Sequence, residues 1–174
     1  MKAIRVLGLF LVTMLVIAAC QPAAPADEPS GGGSLDGREL RIAVENAYNP
    51  FNFIDTDTGD AIGYDYDLFN EICSRLNCTA VFVETSWDAM VAVMGGAGDF
   101  DTFDIGADGI TITAERAQSV DFSDPYIKLQ QVLLVKEDES RFTDAAGLTA
   151  DANLLVGSQP GTTNYDQAVE LVGE

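Results

Sequence analysis

Arg116 stands three residues after Thr113 in the run ITITAER, and a second hydroxyl-rich turn, Pro160-Gly161-Thr162-Thr163, carries Asp166 three residues beyond Thr163. A hydroxyl at such a spacing is a helix N-cap signal, so both segments would set free N–H groups and the positive end of a helix where an anion can sit. Arg116 adds a planar fork of donors that matches a carboxylate with two parallel hydrogen bonds. Plainer roles stay open: Arg116 can pair with Glu115, and Thr163 can cap its helix without meeting a ligand. The chain has no histidine, which removes Ser-His-Asp and Cys-His catalysis and His-ligated zinc. Three cysteines are too few for a zinc finger. The acids Asp55, Asp57 and Asp60, and again Asp99, Asp101 and Asp104, lack the glycine at six and glutamate at twelve of a calcium loop. They read as solvated turns, and no metal or cofactor is expected.

The elements that must position these groups begin late in the chain. Lys2 and Arg5 precede a short apolar run, VLGLFLVTMLV, that ends in Ile17-Ala18-Ala19-Cys20. That is the pattern of an export signal, and the run falls short of the ~20 apolar residues needed to span a bilayer. The stretch before Cys20 resembles the lipobox of bacterial lipoproteins, which makes 1–19 a signal peptide and Cys20 the acylated first residue of the mature protein. Residues 20–36, rich in Pro, Ala, Gly and Ser, read as a flexible tether. Nine Lys+Arg against 28 Asp+Glu give a net charge of −19, a field that repels phosphate backbones and argues against nucleic acid. At 174 residues and 47% hydrophobic the chain can bury a core.

Alternating apolar residues predict strands at 40–44, 79–83, 104–107, 131–135 and 154–157, with shorter extended pieces at 51–54 and 61–64. Leu68, Phe69, Ile72 and Leu76 recur at helical spacing, predicting a helix over 66–76 with Asp65 as N-cap. Ser86 would cap a helix over 87–94, Thr113 one from 114 onward, and Thr163 a last one. Strands alternating with helices predict an α/β fold with helices on both faces of a largely parallel sheet.

Several segments together, LRIAVENAYNPFNFID, AIGYDYDLFNEI, SWDAMVAVM, DGITITAERAQSVDFSDPY, QVLLVK and VGSQPGTT, resemble the bacterial extracellular solute-binding proteins of family 3, amino-acid receptors of ABC importers. The resemblance implies a periplasmic-binding-protein-like fold of two lobes, with residues 37–127 as lobe one and 128–174 as the hinge and start of lobe two. It also implies that the chain is a fragment, lacking the part of lobe two that usually supplies an acid for the ligand's α-ammonium. By the same likeness Arg116 would clamp an α-carboxylate, helped by the Thr111 hydroxyl, a Gly109 backbone group, and Thr162 and Thr163 from lobe two. Tyr48 and Trp87 match the aromatic positions between which family ligands lie; core packing is the alternative for Trp87. Glu45 matches a position near the ligand's distal end. Asp108 departs from the small or hydroxyl residue usual there, and the two acids would bias the pocket toward cationic ligands or else serve as structural acids. Some members bridge the helix end at which Cys73 and Cys78 lie, so a disulfide is expected if the protein is exported.

The expected function is capture of an amino acid, polar or cationic, for an ABC permease, by a monomer lipid-anchored on the outer face of the membrane or in the periplasm. No enzyme activity is expected. The alternatives are an enzyme like the cyclohexadienyl dehydratases of the same fold, kept open by Asp108, and a sensory ligand-binding module.

Overall fold

The computed structural model describes residues 33–173. The expected signal peptide, Cys20 and the tether up to residue 32 lie outside the described residues. Residues 34 onward form one compact unit.

Its centre is β1 (Glu39–Val44), which also lies in the middle of a three-stranded parallel sheet. β1 pairs on one side with β5 (Thr79–Glu84), Ile42 opposite Phe82, and on the other with β6 (Ile105–Gly106), Ile42 opposite Ile105. Ile42, Ala43 and Val44 have no exposed surface. Because successive strand residues face opposite ways, Ile42 and Val44 pack with Tyr66 and Phe69, while Ala43 packs with Trp87, Met90 and Met94. The first group belongs to α1 (Tyr64–Leu76) and the second to α2 (Trp87–Met94). One helix therefore covers each face, as two-sided burial of a parallel sheet requires. Burying a side chain such as Ile42 contributes about 1.5–3 kcal/mol.

Between β1 and α1 runs a small antiparallel sheet of β2 (Ala47–Tyr48), β3 (Asn52–Ile54) and β4 (Ala61–Ile62), in that order. It is joined rigidly to α1. Tyr64 and Asp65 donate their N–H groups to the carbonyls of Pro50 and Phe51, at 3.0 and 2.9 Å. Gly63, with φ at +134°, makes this approach possible, since a Cβ there would come within 2.3 Å of the Phe51 carbonyl oxygen. β6 is fixed to β1 by Arg41, whose Nη2 meets Asp104 Oδ1 at 2.9 Å while its backbone N–H donates to Oδ2 at 2.9 Å. Arg41 holds the Asp104 carboxyl at about 2. One of the acids read as part of a solvated turn thus has a fixed partner.

Other elements differ from the sequence reading. α1 starts at Tyr64, its N-cap is Gly63, and Asp65 is not a cap but a fully buried side chain. The helix expected from residue 114 shrinks to a single 3-10 turn, Arg116–Gln118, although Thr113 Oγ1 does accept from the Arg116 N–H at 3.1 Å. No strand forms at 131–135 or 154–157, because no ladder reaches either run among the described residues. A helix not read from the sequence, α3 (Ala145–Ala150), is capped by Asp144, which accepts from the Gly147 N–H at 2.8 Å. In α4 (Thr163–Val172) the cap is Thr162 and not Thr163: Thr162 Oγ1 accepts from the Tyr165 N–H at 3.0 Å, so the expected pairing of Thr163 with Asp166 does not form. No helix among the described residues is long and apolar enough to cross a membrane.

Candidate ligand-binding site

In a parallel sheet, ligands bind beyond the carboxyl ends of the strands, where the connections diverge to opposite faces. Here that place lies beyond β1, flanked by the ends of β5 and β6. Glu45 follows β1, Ser86 and Trp87 follow β5, and Ala107, Asp108 and Gly109 follow β6. These ends, the β2 aromatic and the segment 157–164 enclose a cavity of about 340 Å³. Its wall includes Glu45, Tyr48, Trp87, Asp108, Thr111, Arg116, Thr162 and Thr163. Gly109 stands behind that wall, where a Cβ would come within 2.7 Å of the Tyr48 ring.

One end of the cavity carries the guanidinium of Arg116 and the start of α4. Arg116 Nη1 donates to the Thr111 carbonyl and Nη2 to the Gly161 carbonyl, each at 2.9 Å, and the guanidinium sits 5.5 Å from the centre of the Trp87 ring. Those bonds use two of its five N–H groups. Burial lowers its pKa, opposed by the charges of Asp166 and Glu115, but no guanidinium loses its charge near neutrality. Thr111 and Thr163 bring their hydroxyls to 3.3 Å of each other, and Gln131 Nε2 reaches Thr163 at 3.3 Å. The short 3-10 turn at Arg116 supplies little dipole. The ten-residue α4 has the larger dipole, and its first residues line the cavity.

The opposite chemistry lies at Glu45 and Asp108. Glu45 Oε1 accepts from Gln159 Nε2 at 3.2 Å and, at 3.4 Å, from the Trp87 N–H that opens α2. Asp108, 4% exposed, accepts from Asn52 Nδ2 at 2.7 Å. Burial pushes its carboxyl up to about 6, the Asn52 hydrogen bond opposes that shift, and the charges of Glu45 and Asp65 add to it. Trp87 belongs to the core, packing on Ala43 and Met90, and it also lines the cavity, where its indole Nε1 donates to the Pro160 carbonyl at 3.2 Å.

Asn52, Asp65 and Gln159 were missed by the sequence reading. Asn52 carried no signal, lying in an apolar run, and Asp65 was hidden by its fitness as a cap. Gln159 sat inside the quoted VGSQPGTT segment, and its neighbourhood of the pocket was the available cue. Cys73 and Cys78 lie away from the cavity, at the end of α1, and are joined with Cα atoms 4.5 Å apart. A larger hollow of about 1790 Å³ extends from α1 and α2 to residues 121–132. Glu45, Asp108 and Arg116 line the smaller cavity and not this one.

The chain is thus an α/β unit with a cavity at the strand ends, an arginine at one wall and acids at another. The chain matches the family described as "Bacterial extracellular solute-binding proteins, family 3" over residues 40–170, and it belongs to that family. It is 30% identical to the L-cystine-binding protein TcyA of Bacillus subtilis, over 96% of this chain and 62% of that one. It is 33% identical to the cyclohexadienyl dehydratase of Pseudomonas aeruginosa, over 75% of this chain and 47% of the enzyme. Among solved structures, an ancestral arginine-binding protein bound to arginine superposes with a TM-score of 0.65 at 31% identity, covering 79% of this chain and 57% of that one. The chain spans about half the length of the curated relatives it matches. The fold is therefore the two-lobed one of these proteins, with the first lobe nearly complete and the second present in part.

Proposed function

We propose that the protein captures an amino acid with a polar or cationic side chain outside the cytoplasm and delivers it to an ABC permease, by closing its lobes around the ligand. The observation that carries this is the convergence, on one cavity of about 340 Å³, of a guanidinium with spare donors at Arg116 and two acids at Glu45 and Asp108. A zwitterion with a basic side chain needs those two signs of charge at its two ends. Residues 37–127 serve as lobe one and 128–174 as hinge and part of lobe two, with 157–163 closing over the ligand. Relatives named for cystine, histidine and arginine support the ligand class. The bond between Cys73 and Cys78 suits an oxidising compartment. The pattern ending at Cys20 supports a signal peptide of residues 1–19 and a lipid anchor, with the protein acting as a monomer.

The test is calorimetry on the protein as its gene encodes it. L-Arginine should bind, and Arg116→Ala should weaken it by a factor of about ten to a thousand, since hydrogen bonds to charged groups contribute about 1.5–3 kcal/mol each. Binding unchanged in that variant, or L-glutamate outbinding L-arginine, would sink the reading. A second reading, a dehydratase on the same fold, draws on Asp108, a buried acid whose titration near neutrality suits general acid catalysis. Turnover of a cyclohexadienyl substrate that disappears in Asp108→Asn would favour it.

A further inference from the structure

Beneath the acidic wall of the pocket lies a polar cluster sealed from water. Asn52 in β3 and Asp65 in α1 have no exposed surface. The Asn52 amide has two hydrogens, and they go to Asp65 Oδ2 at 2.9 Å and Asp108 Oδ1 at 2.7 Å, with the Ala107 carbonyl a more distant neighbour at 3.3 Å. Its oxygen accepts from the Asn46 N–H at 2.7 Å. One side chain thus ties together the end of β1, β3, α1 and the end of β6. Of the three residues in the cluster, Asp108 is the one that lines the cavity.

Two carboxyls buried on a single amide resist ionising together, because each charge disfavours the other in a poorly solvated place. Asp65 is raised by burial, and the hydrogen bonds from Asn52 and Tyr126 oppose that. The groups facing Asp108 are Glu45 at the end of β1, Asp65 in α1, Tyr126 with its hydroxyl 3.5 Å from Asp65 Oδ1, and Tyr48 and Arg116 on the cavity wall. Burial and the acids among them favour a neutral Asp108. The Asn52 amide, with a backbone bond from Glu45, favours the charged form.

We propose that Asn52 is the positioning residue that sets ligand specificity: its amide, clamped to Asp65 beneath, holds the Asp108 carboxylate charged at the pocket wall, so that a cationic side chain is preferred over a neutral one. This rests on the amino-acid-capture reading of the pocket. Without the amide, Asp108 keeps a proton at neutral pH and offers a cation no countercharge. Without the charge on Asp65, Asp108 ionises at lower pH while the hydrogen bond from Asn52 survives.

The experiment compares L-arginine with L-glutamine by calorimetry from pH 5 to 8, in the natural protein, Asn52→Leu and Asp65→Asn. At pH 7.5, Asn52→Leu should lose about tenfold or more in arginine affinity, the equivalent of one hydrogen bond to a charged group, and keep its glutamine affinity within about threefold. Asp65→Asn, which keeps an acceptor for Asn52 and does not depend on the first variant folding, should move the pH at which arginine affinity falls by about one unit downward. Equal loss for both ligands in Asn52→Leu, or a pH profile unmoved in Asp65→Asn, overturns the proposal, as does a natural protein that prefers glutamine. Should the natural protein bind neither, the capture reading is what fails, and carbon-13 titration of the aspartate carboxyls decides this one. An Asp108 midpoint that rises in Asn52→Leu and falls in Asp65→Asn supports it, and a midpoint unmoved in either variant overturns it.

Discussion

Residues 40–44 and 131–135 are both short apolar runs that read as strands, and the molecule treats them oppositely. In the first, Ile42, Ala43 and Val44 are wholly buried, with a neighbouring strand on either side. In the second, Val132 is 83% and Leu134 98% exposed, and no strand pairs with them among the described residues. Composition does not separate the two. The difference lies in the partner: a strand's N–H and C=O groups are satisfied by a neighbour's, and its apolar face by a helix laid across it, so β character belongs to a neighbourhood and not to a run of residues.

Hydrogen exchange gives the widest test of that contrast. Amides of 40–44 and 79–84 should be protected on the order of a thousandfold more than those of 131–135 and 154–157, since ladder amides open only with the global transition, at about 5 kcal/mol or more. Similar exchange in both would mean that the second run has found a partner in solution. Truncation should show the same asymmetry: Ile42→Ala is expected to cost about 2–5 kcal/mol in denaturant unfolding, and Leu134→Ala within about 0.5 kcal/mol of nothing.

Asp108 sharpens the comparison from inside the well-packed region, where burial carries a cost. Burial pushes its carboxyl up to about 6 in the folded protein, against an ordinary value of about 3.9. Between those values the folded state holds a proton that the unfolded chain has released, so its contribution favours folding at low pH and is lost as pH rises from about 4 through 6. Asp108→Asn should therefore change little at pH 4 and gain up to about 3 kcal/mol at pH 7.5, read from urea midpoints at the two pH values. The smallest effect belongs to the bridge at the end of α1. Reducing Cys73–Cys78 closes no long loop, and should cost at most about 2 kcal/mol. Thiol labelling of the unreduced, denatured protein should find neither cysteine, and full labelling of both would remove the bond from the account.

What the sequence disclosed follows the same division. The central sheet, both covering helices and the Ser86 cap were legible because period and capping chemistry act within a few residues, and Ser86 does accept from the Ala89 N–H. Most of the pocket wall came from motif likeness, which carries positions and not contacts. Asp65 was misread because an acid before an apolar helix satisfies the cap rule, yet backbone carbonyls of Pro50 and Phe51 meet that helix end and leave the carboxyl free to be buried. Asn52 and Gln159 act through partners 56 and 114 positions away, distances at which no local pattern speaks. The helix expected after Thr113 failed for a related reason: its cap formed, but the residues beyond Gln118 do not continue the turn.

Gly63 carries a mechanical consequence. By letting the first N–H groups of α1 bond directly to the Pro50 and Phe51 carbonyls, it makes the hairpin that bears Tyr48 and the helix beneath it a single lever. Load applied at Tyr48 would therefore pass through two backbone hydrogen bonds into a helix of thirteen residues. The opposite wall, segment 157–163, is held instead by side-chain bonds linking Arg116 with Gly161, Trp87 with Pro160, Gln159 with Glu45, and Thr163 with Thr111 and Gln131. The seat of the hairpin on the helix thus depends on the absence of one methyl group at Gly63.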